Sequence, residues 1–180
     1  GDSLFYDRNL SFGEAFYDVI FTDTVNKNML TGNYCHYNEL TKYAVATDSA
    51  VAVDYSQGDS LFLHGDTLQL FTFFLDTDSM YRETRAYHKV RFFRTDVQGV
   101  CDSLVFSTKD SCLTMYRDPI LWNGNQQLLG EEVMVYMNDS TIDWAHIHNQ
   151  TLSVEKLDSV NYNQVTGKDM KAYFIGGEMH

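Results

Sequence analysis

Apolar and polar positions alternate with a period of two along most of this chain. The clearest stretch spans residues 57–73. There Leu61 and Leu63 fall in one phase against Ser60 and Phe62, and Leu68 and Leu70 then oppose Thr67 and Gln69. Alternation over several residues is the signature of a half-buried strand. Tyr17, Val19 and Phe21 repeat it against Asp18 and Thr22, and Val90 and Phe92 against Lys89 and Arg91. Val133, Val135 and Met137 oppose Glu132 and Met134, and Ile142 and Trp144 oppose Asp143 and Ala145. Val45, Val51 and Val53 share one phase, and Leu104, Phe106, Leu113 and Met115 populate a hairpin over 102–106 and 111–116. The pattern predicts further strands over 14–22, 29–37, 43–47, 50–55, 88–94, 120–122, 127–137 and 141–148. Residues 80–85 are left as an exposed segment, and no stretch holds helical spacing. Asn123-Gly124 predicts a two-residue hairpin turn with positive φ at both positions.

A repeat lies under this alternation. Gly58 and Gly65 each open a Gly-Asp-Ser/Thr-Leu copy, so 57–73 reads as bend, strand, bend, strand. Glycine suits the bend because a side chain there is strained. Related glycines at 32, 65, 99, 130 and 167 are separated by 33, 34, 31 and 37 residues, with Gly99 two residues out of register with Asp102-Ser103. Near-constant spacing means stacked repeats. With strands inside each repeat, the outcome is a β-solenoid, a jelly roll or a curved sheet folded on itself.

In most strands one phase is large and apolar, while the other mixes polar and aromatic residues. A sheet of that kind must cover its apolar side. Burying a Leu- or Phe-sized side chain is worth roughly 1.5–3 kcal/mol, so a long apolar trough closes, packs on another sheet or takes an apolar ligand such as an acyl chain.

Composition refines the picture. Hydrophobic residues make up 44% of 180, with 12 Tyr, 12 Phe and a single proline, Pro119. This fits one all-β domain over 1–180. The net charge of −12 argues against nucleic acid as a partner. The three cysteines, 35, 101 and 112, make no complete disulfide framework. In the predicted hairpin Cys112 faces Val105, far from Cys101, so all three are expected as small buried residues. Both termini look cut within the pattern, as if an export signal had been removed.

Candidate chemistry is sparse. His146 and His148 lie two apart on a strand beside Trp144 and can bind zinc given a third ligand. No Cys or acid at a recognisable spacing supplies one, so they read as a solvated strand face. Recurrence of the Asp-Ser/Thr pairs points to structural turns, and the pair Asp102 and Asp110 has no feature marking it as an acid and base. Lys89, Arg91 and Arg94 form the one basic cluster, matched to an anionic head group or to charge balance. No nucleophile elbow, phosphate loop or metalloprotease motif is present. No catalytic residue, cofactor or metal site is assigned.

In order along the chain, 15–19 (Ala-Phe-Tyr-Asp-Val), 30–34 (Leu-Thr-Gly-Asn-Tyr), 50–54 (Ala-Val-Ala-Val-Asp) and 58–68 resemble the OstA-like branch of the LptA family. So do 97–104, 118–122 (Asp-Pro-Ile-Leu-Trp), 127–131 (Gln-Leu-Leu-Gly-Glu) and 163–170. The resemblance implies a partly open antiparallel β-jelly roll, a V-shaped stack of strands, in the periplasm of a Gram-negative envelope. It implies a non-enzymatic module of lipopolysaccharide transport to the outer membrane, holding lipid A acyl chains in the apolar trough. The implied partners are lipopolysaccharide, other export-bridge proteins of the same fold and head-to-tail copies of the chain. The trough would be lined by Val19, Val53, Leu61, Leu63, Leu68, Leu70, Val90, Phe92, Leu104, Phe106, Val133 and Val135. The competing expectation is a structural scaffold with a filled interior that acts by edge-strand association in outer-membrane assembly.

Overall fold

The computed structural model describes the chain except for Asn26, Gln57, Gly58, Asp139, Ser140, Gly177 and His180, with backbone alone for Glu178. Among the described residues there is no helix. The strands are β1 (Ser3–Asp7), β2 (Phe12–Asp23), β3 (Asn28–Asn38), β4 (Tyr43–Asp54), β5 (Leu61–Phe73), β6 (Tyr81–Phe93) and β7 (Gln98–Ser107). They continue as β8 (Cys112–Tyr116), β9 (Ile120–Asn123), β10 (Gln126–Leu129), β11 (Glu132–Asn138), β12 (Thr141–Lys156), β13 (Tyr162–Ile175) and β14 (Glu178–Met179). The expected all-β antiparallel architecture is observed. Neighbours pair in a meander from β1 to β8, and the pairings β7–β8–β11–β12–β10–β9–β7 close a ring of six strands, with the remaining strands outside it.

Most strands run longer than the alternation suggested, because each passes through a corner. Consecutive residues with positive φ occur at Tyr17-Asp18, Asp48-Ser49, His88-Lys89, Arg117-Asp118 and Asn149-Gln150. This conformation costs roughly 1–2 kcal/mol per non-glycine residue. The register shows why it recurs. Phe16 pairs with Tyr34 and Val19 with Gly32, leaving Tyr17-Asp18 opposite Asn33 alone. Asp48-Ser49 likewise faces Asn33 on one side and Asp66 on the other, and His88-Lys89 faces Asp66 and Asp102. Asn149-Gln150 faces Lys168. Two residues against one is a β-bulge, which bends the strand. Stacked in neighbouring strands, these bulges form a crease that divides the sheet into two arms. The breaks between β8 and β9 and between β10 and β11 lie on the same crease. β7 and β12 each pair with both halves of a broken strand, which closes the ring.

The crease reassigns the sequence repeat. Gly65 is not a bend between two strands; it lies inside the thirteen-residue β5. The first copy's Gly58 lies outside the described residues. The pairs Gly32-Asn33, Gly65-Asp66, Gly130-Glu131 and Gly167-Lys168 mark where one residue faces two. A Cβ on Gly32 would lie 2.9 Å from the Thr47 carbonyl oxygen, and one on Gly130 2.9 Å from that of His148. The third copy looks out of register because its crease residue is Asp102, preceded by Cys101; Gly99 instead makes room for the Phe92 ring, 2.4 Å from a Cβ built there. Asp102 faces His88 Nδ1 at 3.4 Å and Arg117 Nη1 at 3.3 Å, both crease residues, so its place is structural.

Other expectations shift by a residue or more. The predicted strands 43–47 and 50–55 are one strand, β4, bent at Asp48-Ser49. Residues 81–85, left as exposed, belong to β6. The hairpin after β9 turns on Gly124 and Asn125, since Asn123 pairs with Gln126 and gives its side-chain amide to the Asp96 carbonyl at 3.0 Å. Cys112 pairs with Ser107, not Val105. All three cysteines are free and buried, and burial pushes the Cys101 thiol up to about 12.

Candidate functional site

Register partners share a face of the sheet, so the interior can be read as rows crossing the strands. In one arm the row runs Leu4, Ala15, Cys35, Ala46, Leu68, Ala86, Leu104, Met115, Val133, Ile147, Met170. In the other it runs Phe21, Leu30, Ala52, Leu63, Phe92, Gly99, Leu121, Leu128, Ser153, Val165. The middle of both rows is packed shut: Leu104 and Met115 are 1% and 0% exposed in the first, and Leu121 and Leu128 1% and 2% in the second. Both ends are open. Leu4 is 79% exposed and Phe21 52% at one end, and Val165 is 59% at the other. The interior is therefore a furrow closed at its centre, open in both rows at the β1–β2 end and in one row at β13.

The predicted lining residues divide along this gradient. Val19, Leu68, Val90, Phe92, Leu104, Val133 and Val135 are buried in the core cluster, and Leu61, Leu63 and Phe106 pack half-buried against it. Leu70 is half-buried on the interior side, paired with Thr84 beside Phe106. Val53 is the exception. It pairs with Phe62, the neighbour of Leu63 on the opposite face, and the interior position on β4 is Ala52. Residues 44–46 and 50–53 are apolar in both phases, so alternation sets no direction there. Side-chain size suggested valine inside, whereas the structure places Ala44, Ala46, Ala50 and Ala52 there.

The outer face carries a second feature that alternation alone did not reveal. Aromatic rings run across it in contact: Phe12–His36 at 5.3 Å, His36–Tyr43 at 5.2 Å, Tyr43–Phe71 at 4.9 Å and Phe73–Tyr81 at 4.8 Å between centroids. Phe12, His36, Asn38, Thr41, Tyr43, Phe71 and Thr72 line an open groove of about 400 Å³. Burial holds His36 below the usual histidine range, against the opposing pull of Glu14. The Tyr34 hydroxyl is pushed up to about 12 by burial and by its 2.6 Å hydrogen bond to Glu14. The available signal was the aromatic spacing in the polar phase, as at Tyr34/His36 and Phe71/Phe73.

Two residues of the expected basic cluster have acidic partners. Lys89 lies 3.7 Å from Asp66, and Arg94 pairs with Asp96 through Nη2 at 2.8 Å. His146 and His148 share the outer face of β12 as expected, with their rings 3.8 Å apart. Burial, then His148 and Lys171, hold the His146 imidazole below its usual range. What the spacing lacked, the fold supplies: Asp169 on β13 accepts a 2.9 Å hydrogen bond from His148 Nδ1.

These features define an all-antiparallel β protein with creased strands and an apolar furrow open at its ends. A scan against protein-family models finds no match, and a search of curated proteins finds no significant one.

Proposed function

We propose that the chain is a non-enzymatic lipid-binding module in lipopolysaccharide transport to the outer membrane, acting in the periplasm as a partly open, V-shaped β-jelly roll of the OstA-like, LptA type. The observation that carries this is the opening of the furrow at both ends. Apolar interior rows that reach water at Leu4, Phe21 and Val165 present surface that an acyl chain covers. Leu61, Leu63, Leu70 and Phe106 keep partial exposure, so a chain reaches them without displacing the packed centre. The edge strands extend the same logic. β1 exposes Leu4, Phe5 and Tyr6, and β13, before its short pairing with β14 at Phe174 and Ile175, exposes Tyr162, Val165 and Tyr173. Unpaired edges with apolar side chains are templates for another strand, which supports end-to-end joining with further copies or with export-bridge proteins of the same fold.

A second account, a structural scaffold joined by its edges without lipid, draws on the closed centre of the furrow. Titration with lipopolysaccharide separates the two. The lipid module is expected to form a saturable complex that requires acyl chains and is lost with deacylated lipopolysaccharide. Equal binding of the deacylated form, or no saturable binding, would contradict it. Concentration-dependent growth in sedimentation without lipid would then favour the scaffold.

A further inference from the structure

Beside the furrow, β12 and β13 bring three metal-ligating side chains onto the outer face. His146 and His148, two apart on β12, point the same way. Asp169 is the register partner of His148 on β13. One donor atom from each of the three lies within 4.8 Å of the other two. Both histidines are half-buried and Asp169 is exposed, so one side of the cluster is open to water. The adjoining crease pair Asn149-Gln150 fixes the backbone next to His148, and Gln150 Nε2 donates to Glu131 Oε1 at 3.0 Å.

We propose that His146, His148 and Asp169 bind one divalent first-row transition ion, zinc foremost, with water completing its coordination. Two imidazoles, a carboxylate and a water make a ligand set that zinc accepts in tetrahedral geometry. With metal–nitrogen distances of about 2.0–2.1 Å, tetrahedral donors stand roughly 3.3 Å apart, so modest side-chain rotation closes the site. A histidine–aspartate hydrogen bond accounts for His148 and Asp169 alone. The ion also accounts for the His146 ring held 3.8 Å from that of His148. The neighbouring cation does not occupy the site: Lys171 Nζ lies over the Trp144 ring, 5.2 Å from its centroid. Glu132, paired with His148 from β11, adds negative charge on the far side. The bound ion ties β13 to β12 next to the bulge that interrupts their ladder. This site is independent of the lipid proposal.

The test is calorimetric titration of the chelator-treated full chain with zinc chloride, alongside thermal melting. One zinc per chain is expected, with a rise in melting temperature. His146→Gln and Asp169→Asn should each weaken binding at least tenfold and abolish that rise, while Lys171→Ala keeps both. Cobalt(II) should give the absorption of a tetrahedral ion in the unmodified chain. Magnesium and calcium, which prefer all-oxygen sites, should not compete. Melting without zinc reports whether each variant folds; if one does not, the other carries the test. Absence of one-to-one binding overturns the proposal. So does binding unchanged in Asp169→Asn, which marks a generic two-histidine contact.

Discussion

Leu104→Ala is expected to lower folding stability by about 2–5 kcal/mol, the range for truncating a fully buried leucine. Leu104 is 1% exposed and sits between Ala86 and Met115 in the interior row. Both neighbours are fully buried, and Ala86 has no longer side chain with which to fill the gap. Of the two, only Met115 can move toward the gap, and what cavity it leaves adds to the lost transfer energy. Leu63→Ala should cost distinctly less, because Leu63 already keeps partial contact with water. Chemical denaturation of both variants checks the order. Equal losses would mean that the furrow is not graded from a closed centre to open ends.

Gly130→Ala is the second large effect, about 1–3 kcal/mol, the usual range for overpacking a filled site. The added Cβ would sit 2.5 Å from Ile147 Cγ2 and 2.9 Å from the His148 carbonyl oxygen. Ile147 is fully buried and the carbonyl belongs to the ladder at the crease, so backbone must move. Gly13→Ala is the control. Its Cβ would meet Tyr6 Cδ2 at 3.4 Å, an ordinary contact, and should change stability by no more than about 0.5 kcal/mol. A Gly130 variant as stable as the Gly13 variant would contradict the close approach at the crease.

That crease shows where the sequence was legible and where it was not. Strands were readable because β7, β11 and β12 alternate in one phase with large apolar residues. The glycine repeat was readable as a period, yet its meaning was inverted. A glycine before Asp or Asn looks like a turn, whereas here it marks a close backbone approach inside a continuous strand. The partner residues gave no warning. Tyr17-Asp18 and Arg117-Asp118 carry an aspartate but His88-Lys89 does not, and what holds them in the left-handed region is the opposing strand. The β4 phase was misread because alanine and valine alternate there, and the larger, more hydrophobic valine pointed to the wrong face. Asp169 was invisible beside His148 for a different reason: their pairing depends on the β12–β13 register, between residues 21 apart in the chain, beyond any local pattern. The repeated exposure of apolar residues at both ends of the interior rows likewise emerges only once the strands are stacked.

On the proposed function, acyl chains meet this protein where its furrow opens. Photocrosslinking to lipopolysaccharide from single positions tests it most directly. Probes at Leu63 and Leu70 should crosslink to lipid, while probes at Gln69 and Arg91 on the outer face should not. Crosslinks confined to Gln69 and Arg91, or absent from all four, would contradict the account.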